Sequence, residues 1–200
     1  MKEGNDMKLM IASDIHGSAY YCDKLIEAYH REKTDRLLLL GDLLYHGPRN
    51  DLPEGYDPKK VITMLNGIKD DVFSVKGNCE AEVDQMVLEF PIMAEYALLS
   101  VGKRLIFATH GHIYNKDKHP ALHPNDILLS GHTHVPVCEE HDGLICMNPG
   151  SVSIPKNGTP HGYMTFENDL FQWKTLEGEV YRTYRWENEK TLFGTGYPVL

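Results

Sequence analysis

The sequence predicts a single α/β domain, a sandwich of two mixed β-sheets with helices over its outer faces. Three observations carry that expectation. The first half alternates short apolar runs with amphipathic stretches, as strands alternating with helices do. The second half is a succession of strand signals separated by turns. The 200 residues are enough for one well-developed core and short for two.

The elements follow in order. Residues 8–13, KLMIAS, read as a buried strand that delivers Asp14 and His16 to its end. A helix is expected over 18–31, with Leu25, Ile26 and Tyr29 as its apolar stripe. RLLLLGD supplies a second buried strand with Gly41 and Asp42 at its exit, followed by a loop from Tyr45 to Asp57. Pro58 suits the first turn of a helix that runs to about Gly67. DVFSVKGNCE repeats the pattern of strand then polar turn, placing Asn78 just after the strand, and residues 81–90 are expected to be helical up to Pro91.

From there the character changes. AEYALLSVGKRLIFATHG predicts two strands around Gly102, with His110 at the following turn, and DILLSGHTH places His132 and His134 after another apolar strand. Asp142–Gly143 marks a hairpin, since Asp-Gly suits a two-residue turn. Further strands are expected over about 162–167, 169–176 and 180–186. The domain is thus expected over 8–186, with 1–7 as a short polar extension. For 187–200 the residues leave open an edge strand, an interface arm or a free end.

Composition narrows the function classes. Hydrophobic residues make up 42% and charged residues 24%, which excludes compositional disorder, and no apolar stretch approaches spanning length. A net charge of -9 argues against general attraction to nucleic acid or anionic membrane, yet bound cations can still make one cleft positive. Cys22, Cys79, Cys138 and Cys146 form no CxxC pair, so a reduced cytoplasmic chain is expected. MKEGNDM at the start has no signal-peptide core.

The chemistry lies at the strand ends. Asp14 and His16 are one residue apart, and an extended segment would point both the same way. Asp42, Asn78, His110, His132 and His134 each follow an apolar run beside turn-tolerant residues, so strand ends can gather all seven on one rim. Two divalent cations about 3.5–4 Å apart clamp a phosphoryl group and lower the pKa of bound water. Such a pair needs a bridging anion, and Asp42 suits that place. Asp14, His16 and His134 then complete one shell, and Asn78, His110 and His132 the other. Imidazole-rich mixed coordination favours Mn, Fe, Co, Ni or Zn over Mg or Ca without choosing among them, and Mn is the ion pair expected first.

SDIHG at 13–17, GD at 41–42, GNCE at 77–80, THGH at 109–112 and GHTH at 131–134 occur in this order. Together they resemble the calcineurin-like metallophosphoesterase family, in particular its small bacterial YfcE-like phosphodiesterase branch, across residues 8–186. The resemblance implies a four-layer αββα sandwich, a bimetal centre at the strand ends and the ligand assignment above. It also exposes a departure. Many relatives carry histidine where this chain has Cys79, and that imidazole is proposed to assist the leaving group; the YfcE-like branch resembles the cysteine form.

The expected reaction is phosphodiester hydrolysis by direct in-line attack of metal-bound hydroxide, with Asp42, Asn78 and Cys79 at the catalytic centre. Cys79 is expected to position substrate rather than act as nucleophile. Arg49 and Asn50, on the loop after Asp42, are the expected substrate contacts. Glu80 is expected to orient the Asn78 turn or to sit at a helix N-terminus. The expected partner is a small phosphodiester, with no membrane and no stable nucleic-acid partner, and strand edges in the C-terminal half suit a homodimer or homotetramer. Two alternatives stand beside this reading: a non-catalytic interaction scaffold on the same fold, resembling the metallophosphoesterase-like subunit of the retromer coat, and a metal-dependent nuclease.

Overall fold

A computed structural model describes residues 7–186. The first sheet has the strand order β11 (Val180–Arg185), β10 (Leu170–Thr175), β9 (Gly162–Glu167), β1 (Leu9–Ala12), β2 (Arg36–Leu39) and β3 (Val72–Ser74). Strands β1, β2 and β3 are parallel and β9 to β11 antiparallel. The second sheet is ordered β4 (Tyr96–Val101), β5 (Arg104–Thr109), β6 (Ile127–Leu129), β8 (Leu144–Asn148) and β7 (Val137–His141), with β5, β6 and β8 parallel. Two mixed sheets with flanking helices form the expected α/β sandwich.

Alternation along the strands builds its layers. Leu9 and Ile11 of β1 join Leu38 of β2, Ile106 and Ala108 of β5 and Ile127 and Leu129 of β6 in the core between the sheets. Met10 and Ala12 face the other way, onto helix α1 (Ala19–Glu32) and helix α2 (Pro58–Asn66), against Cys22, Leu25, Val61 and Leu65. Burying each such aliphatic side chain contributes roughly 1.5–3 kcal/mol. Both helices carry the caps their sequences suggest: the Ser18 hydroxyl accepts from Tyr21 N–H, and the Asp57 carboxylate accepts from Lys60 N–H just before Pro58. Over the second sheet the covering layer is the segment 110–126, whose Tyr114 and Leu122 pack on Phe107, Leu128 and Cys146.

One element differs from the sequence reading. Helix α3 spans only Glu82–Gln85, not the whole of 81–90. The Gln85 amide takes over the bonding that further helix would have supplied, donating to Leu88 and Phe90 carbonyls and accepting from Ile92 N–H, while Leu88 and Phe90 turn into the core between the first sheet and its helices. The Asp142–Gly143 hairpin is present, with both residues at positive φ (50° and 82°), as a two-residue turn of that sequence requires. Trp186 closes the described chain as a buried ring whose Nε1–H donates to Asn125 O; the tail 187–200 lies outside the described residues.

Parallel β1, β2 and β3 all end at the same rim of the first sheet, and parallel β5 and β6 end at the facing rim of the second. The residues just beyond those ends form the site.

Candidate metal centre

The turns after β1 and β2 are laced together. Asp14 N–H donates to Gly41 O (3.1 Å), His16 N–H to Asp42 O (2.9 Å) and Gly17 N–H to Leu43 O (2.8 Å). Gly41 (φ 92°) is there because a Cβ would lie 2.4 Å from Gly77 N, so the turns after β2 and β3 meet backbone to backbone. Glu80 locks that meeting. Its buried carboxylate accepts from Asp42 N–H (2.9 Å), Leu43 N–H (2.7 Å) and Gly77 N–H (2.5 Å).

Asp14 and His16 do converge, but not through an extended segment. Asp14, His16, Asp42, His132 and His134 all have φ between 49° and 65°, the left-handed region that residues with a Cβ rarely adopt. Each strand therefore ends in a sharp reversal that turns the side chain back over the rim. At about 1–2 kcal/mol per residue this strain is large, and strain of this kind clusters at functional sites.

The ring orientations are set from outside. His16 Nδ1–H donates to Tyr45 O (2.8 Å), His110 Nδ1–H to Leu40 O (2.6 Å) and His134 Nδ1–H to Ile154 O (2.7 Å). Each bond places a proton on Nδ1 and turns Nε2 inward, the orientation metal-ligating histidines use. His16 Nε2 and His134 Nε2 then face each other at 3.2 Å, and both face Asp14 Oδ1, at 3.5 and 3.2 Å. Around His110 Nε2 lie Asn78 Oδ1 (3.1 Å), His132 Nδ1 (3.3 Å) and Asp42 Oδ2 (3.4 Å).

Each knot gathers inward-facing imidazole nitrogens around a buried carboxylate, and such a set attracts a cation, whether protons or a metal ion. Asp14 Oδ1 is fully buried and has no hydrogen-bond partner, a cost of several kcal/mol that a bound cation removes. The donor set of imidazole, carboxylate and amide oxygen fits divalent transition metals, so these residues can hold two ions. Asp14, His16 and His134 form one compact group of ligand atoms, and Asp14, Asp42 and His110 another. Asp42 Oδ2 lies 3.7 Å from His16 Nε2 and 3.4 Å from His110 Nε2, between the two knots.

Charge preferences agree. Burial opposes ionisation of Asp14, but the His134 and His16 rings hold its carboxyl well below the usual range. Burial likewise works against a charged His110, yet the Asp42 bond and the Asp14 charge raise it to about 9. The cluster is built to attract positive charge.

Asn78 Nδ2–H donates to Cys79 Sγ (3.2 Å), which leaves its amide oxygen for the cluster. Cys79 also comes within ligand range of His16 and Asp42, and its N–H donates to Asp42 Oδ1 (2.8 Å). Burial and the Asp42 carboxylate push its thiol well above its ordinary value, which suits a neutral neighbour and not a nucleophile. The centre opens into a cleft of about 430 Å³ whose walls include Arg49, Asn50, Thr133 and Lys156.

Sequence profiles of known families match here. The profile of the calcineurin-like phosphoesterase superfamily domain matches residues 7–169. The chain belongs to that superfamily. Phosphodiesterase YfcE of Escherichia coli is 49% identical over 164 residues, covering 82% of this chain and 89% of that protein. A probable metallophosphoesterase of Bacillus subtilis, YsnB, is 27% identical over 173 residues, covering 82% and 86%. The solved structure of the E. coli phosphoesterase Yfce superposes with a TM-score of 0.87 at 44% identity, covering 90% of this chain and all of that one. Vacuolar protein sorting 29 of Cryptosporidium parvum, at 17% identity and TM-score 0.56 over 90% and 98%, shares the fold. With the paired clusters, this membership makes the chain a bimetal-dependent phosphoesterase.

Sequence reasoning overlooked two groups in this calcineurin-like site. Ser151 and Ser153 hydroxyls donate to the Asp14 carbonyl (2.8 and 3.1 Å) and hold its unusual backbone in place; the polar run NPGSVS after a strand was the available signal. Lys156 lies on the cleft wall with no motif to mark it. His112, the last residue of the THGH motif and no expected ligand, lies edge-on to His110 (ring centroids 5.3 Å apart) and outside the ligand groups of the described residues.

Proposed function

We propose that the chain hydrolyses a small phosphodiester. Asp42 would bridge the ions, with Asp14, His16 and His134 completing one shell and Asn78, His110 and His132 the other. The observation that carries the assignment is Asp42 Oδ2 facing both knots of imidazole nitrogens. When bound, the two ions supply an activated water and neutralise charge on the phosphoryl oxygens. The protein's own groups do the rest. Carbonyl-anchored histidines and the Glu80 clamp fix the ligand geometry, and Asn78 turns its oxygen inward by bonding Cys79. Cys79, beside the turn that carries Asn50, positions the substrate without supplying a proton, while Arg49 and Asn50 contact the diester.

Similarity to a protein named as a phosphodiesterase supports the diester class. Manganese is the first ion pair to test, with Fe, Co, Ni and Zn as alternatives that the imidazole-rich set also accepts. The two sheets packed face to face support one domain over 8–186; a cytoplasmic location rests on the cysteine usage and start of the sequence, and among the described residues no helix is long and apolar enough to cross a membrane. The outward Tyr96 and Leu98 of edge strand β4 support a homo-oligomer, a dimer or tetramer, which sedimentation velocity will identify. The functional test is a panel of phosphomonoesters, diesters, cyclic nucleotides and oligonucleotides with Mn-, Fe-, Co-, Ni- and Zn-reconstituted protein. Diester hydrolysis lost in Asp42→Asn is the expected result. No turnover on any substrate at full bimetal occupancy would instead mark a scaffold.

A further inference from the structure

We infer that the cleft selects phosphodiesters whose non-reacting arm carries a second anionic group, and that Lys156, with Arg49, reads that group. This rests on the phosphodiesterase reading above and names its substrate class. Apart from the ligand cluster and Cys79, the cleft is lined by Gly47, Pro48, Arg49, Asn50, Thr133 and Lys156. Among the described residues no aromatic ring other than the histidines and no large aliphatic side chain lines it, so these walls give a nucleobase or an acyl chain no surface to stack on or bury against. What the walls do offer is positive charge.

Lys156 is held there by its backbone. Its N–H donates to His134 O (3.2 Å), and its own carbonyl accepts from Thr159 N–H (3.1 Å) and Thr159 Oγ1–H (2.7 Å). Two residues earlier, Ile154 O accepts from the His134 ring. Segment 154–159 is thus stitched to a proposed metal ligand, and the lysine it presents is tied to the site rather than placed at random on the surface. Arg49 stands on another wall, in a turn closed by Asn50 N–H to Gly47 O and Asn50 Nδ2–H to His46 O, beside Cys79.

Neither cation has a carboxylate partner among the described residues, although the chain carries 29 acidic residues against 20 basic. Two ions of about +4 less two ligand carboxylates already exceed the single charge of a diester. Two more cations on the walls therefore match a substrate with a further phosphate or carboxylate.

The test compares three p-nitrophenyl phosphodiesters, with ethyl, 2-carboxyethyl and 2-phosphonoethyl second arms, on the metal-loaded full chain. At low ionic strength kcat/KM is expected to favour the two anionic arms over ethyl by about five- to twentyfold, and 0.5 M salt should compress that ratio. Lys156→Met combined with Arg49→Met should bring the ratio near one, Lys156→Glu should invert it, and Lys156→Arg should keep it. The relative rates of the carboxy and phosphono arms distinguish the two kinds of anion. Hydrolysis of all three arms with no anionic preference, or a preference unchanged in the double variant, overturns the inference and leaves the phosphodiesterase reading standing. Cleavage of none of the three removes both.

Discussion

Replacing Glu80 with glutamine tests whether a single side chain holds the two metal loops together. One carboxylate oxygen accepts from Asp42 N–H and Gly77 N–H, and the other from Leu43 N–H. A glutamine of the same shape has one acceptor oxygen. Placed in its better orientation, it keeps the shared pair and turns an NH2 group toward Leu43 N–H, leaving a buried donor facing a donor. An unsatisfied buried amide costs roughly 1–3 kcal/mol, and the two surviving bonds weaken because the acceptor is no longer charged. Removing the carboxylate's own burial cost offsets part of this. The net expectation is a loss of about 2–3 kcal/mol in the metal-free protein, measured by urea unfolding at constant m-value. Because the clamped amides belong to the Asp42 and Asn78 turns, metal affinity by calorimetry should also fall, by roughly 10–100-fold. A variant within about 0.5 kcal/mol of the parent that also binds metal as tightly would refute the reasoning, since that is the range of an ordinary surface change.

Other measurements follow from the same geometry. Glu32 accepts from Lys174 Nζ (2.8 Å), Lys8 Nζ (3.0 Å) and Tyr163 Oη (2.8 Å); burial opposes its charge, but these partners depress its carboxyl from 4.5 to about 2. Ionised Glu32 therefore contributes stability above its unfolded pKa, and about 2–3 kcal/mol should disappear as pH falls from about 4.5 to 2. Urea titrations across that window should show this loss for the parent and a much shallower one for Glu32→Gln, and parallel curves would exclude it. Cys79→His places a group able to donate a proton beside the centre, so the dependence of kcat on leaving-group pKa should flatten relative to the parent across a series of aryl diesters. Equal slopes would show that residue 79 has no part in departure. Hydrolysis of a chiral phosphorothioate diester should invert configuration at phosphorus, whereas retention would require a covalent intermediate.

Much of the architecture could be read because each signal was local. Ser18 and Asp57 cap the helices that begin beside them, Asp142–Gly143 makes its turn by its own backbone preferences, and the unbroken apolar runs of β1 and β2 announce strands buried on both faces. The order of the seven proposed ligands was legible for a related reason: each follows a strand directly, and strand ends share a rim. Helix α3 stopped short of its expected length because the bonds of Gln85 to Leu88, Phe90 and Ile92 depend on where the core draws those residues. No helical pattern in 81–90 reports that pull.

The residues around Asp42 mark the division most clearly. Residue types and spacing along the chain determined that Asp14, His16, Asp42, Asn78, His110, His132 and His134 could meet as ligands, because chemistry and strand periodicity are properties of the chain itself. Tertiary structure alone decided how they meet: left-handed backbone at Asp14, His16, Asp42, His132 and His134, carbonyls of Leu40, Tyr45 and Ile154 choosing the histidine tautomers, and Glu80 and Lys156 brought to the site by distant bonds. Strain of that kind persists only where surrounding contacts outweigh it, and those contacts join residues far apart in sequence.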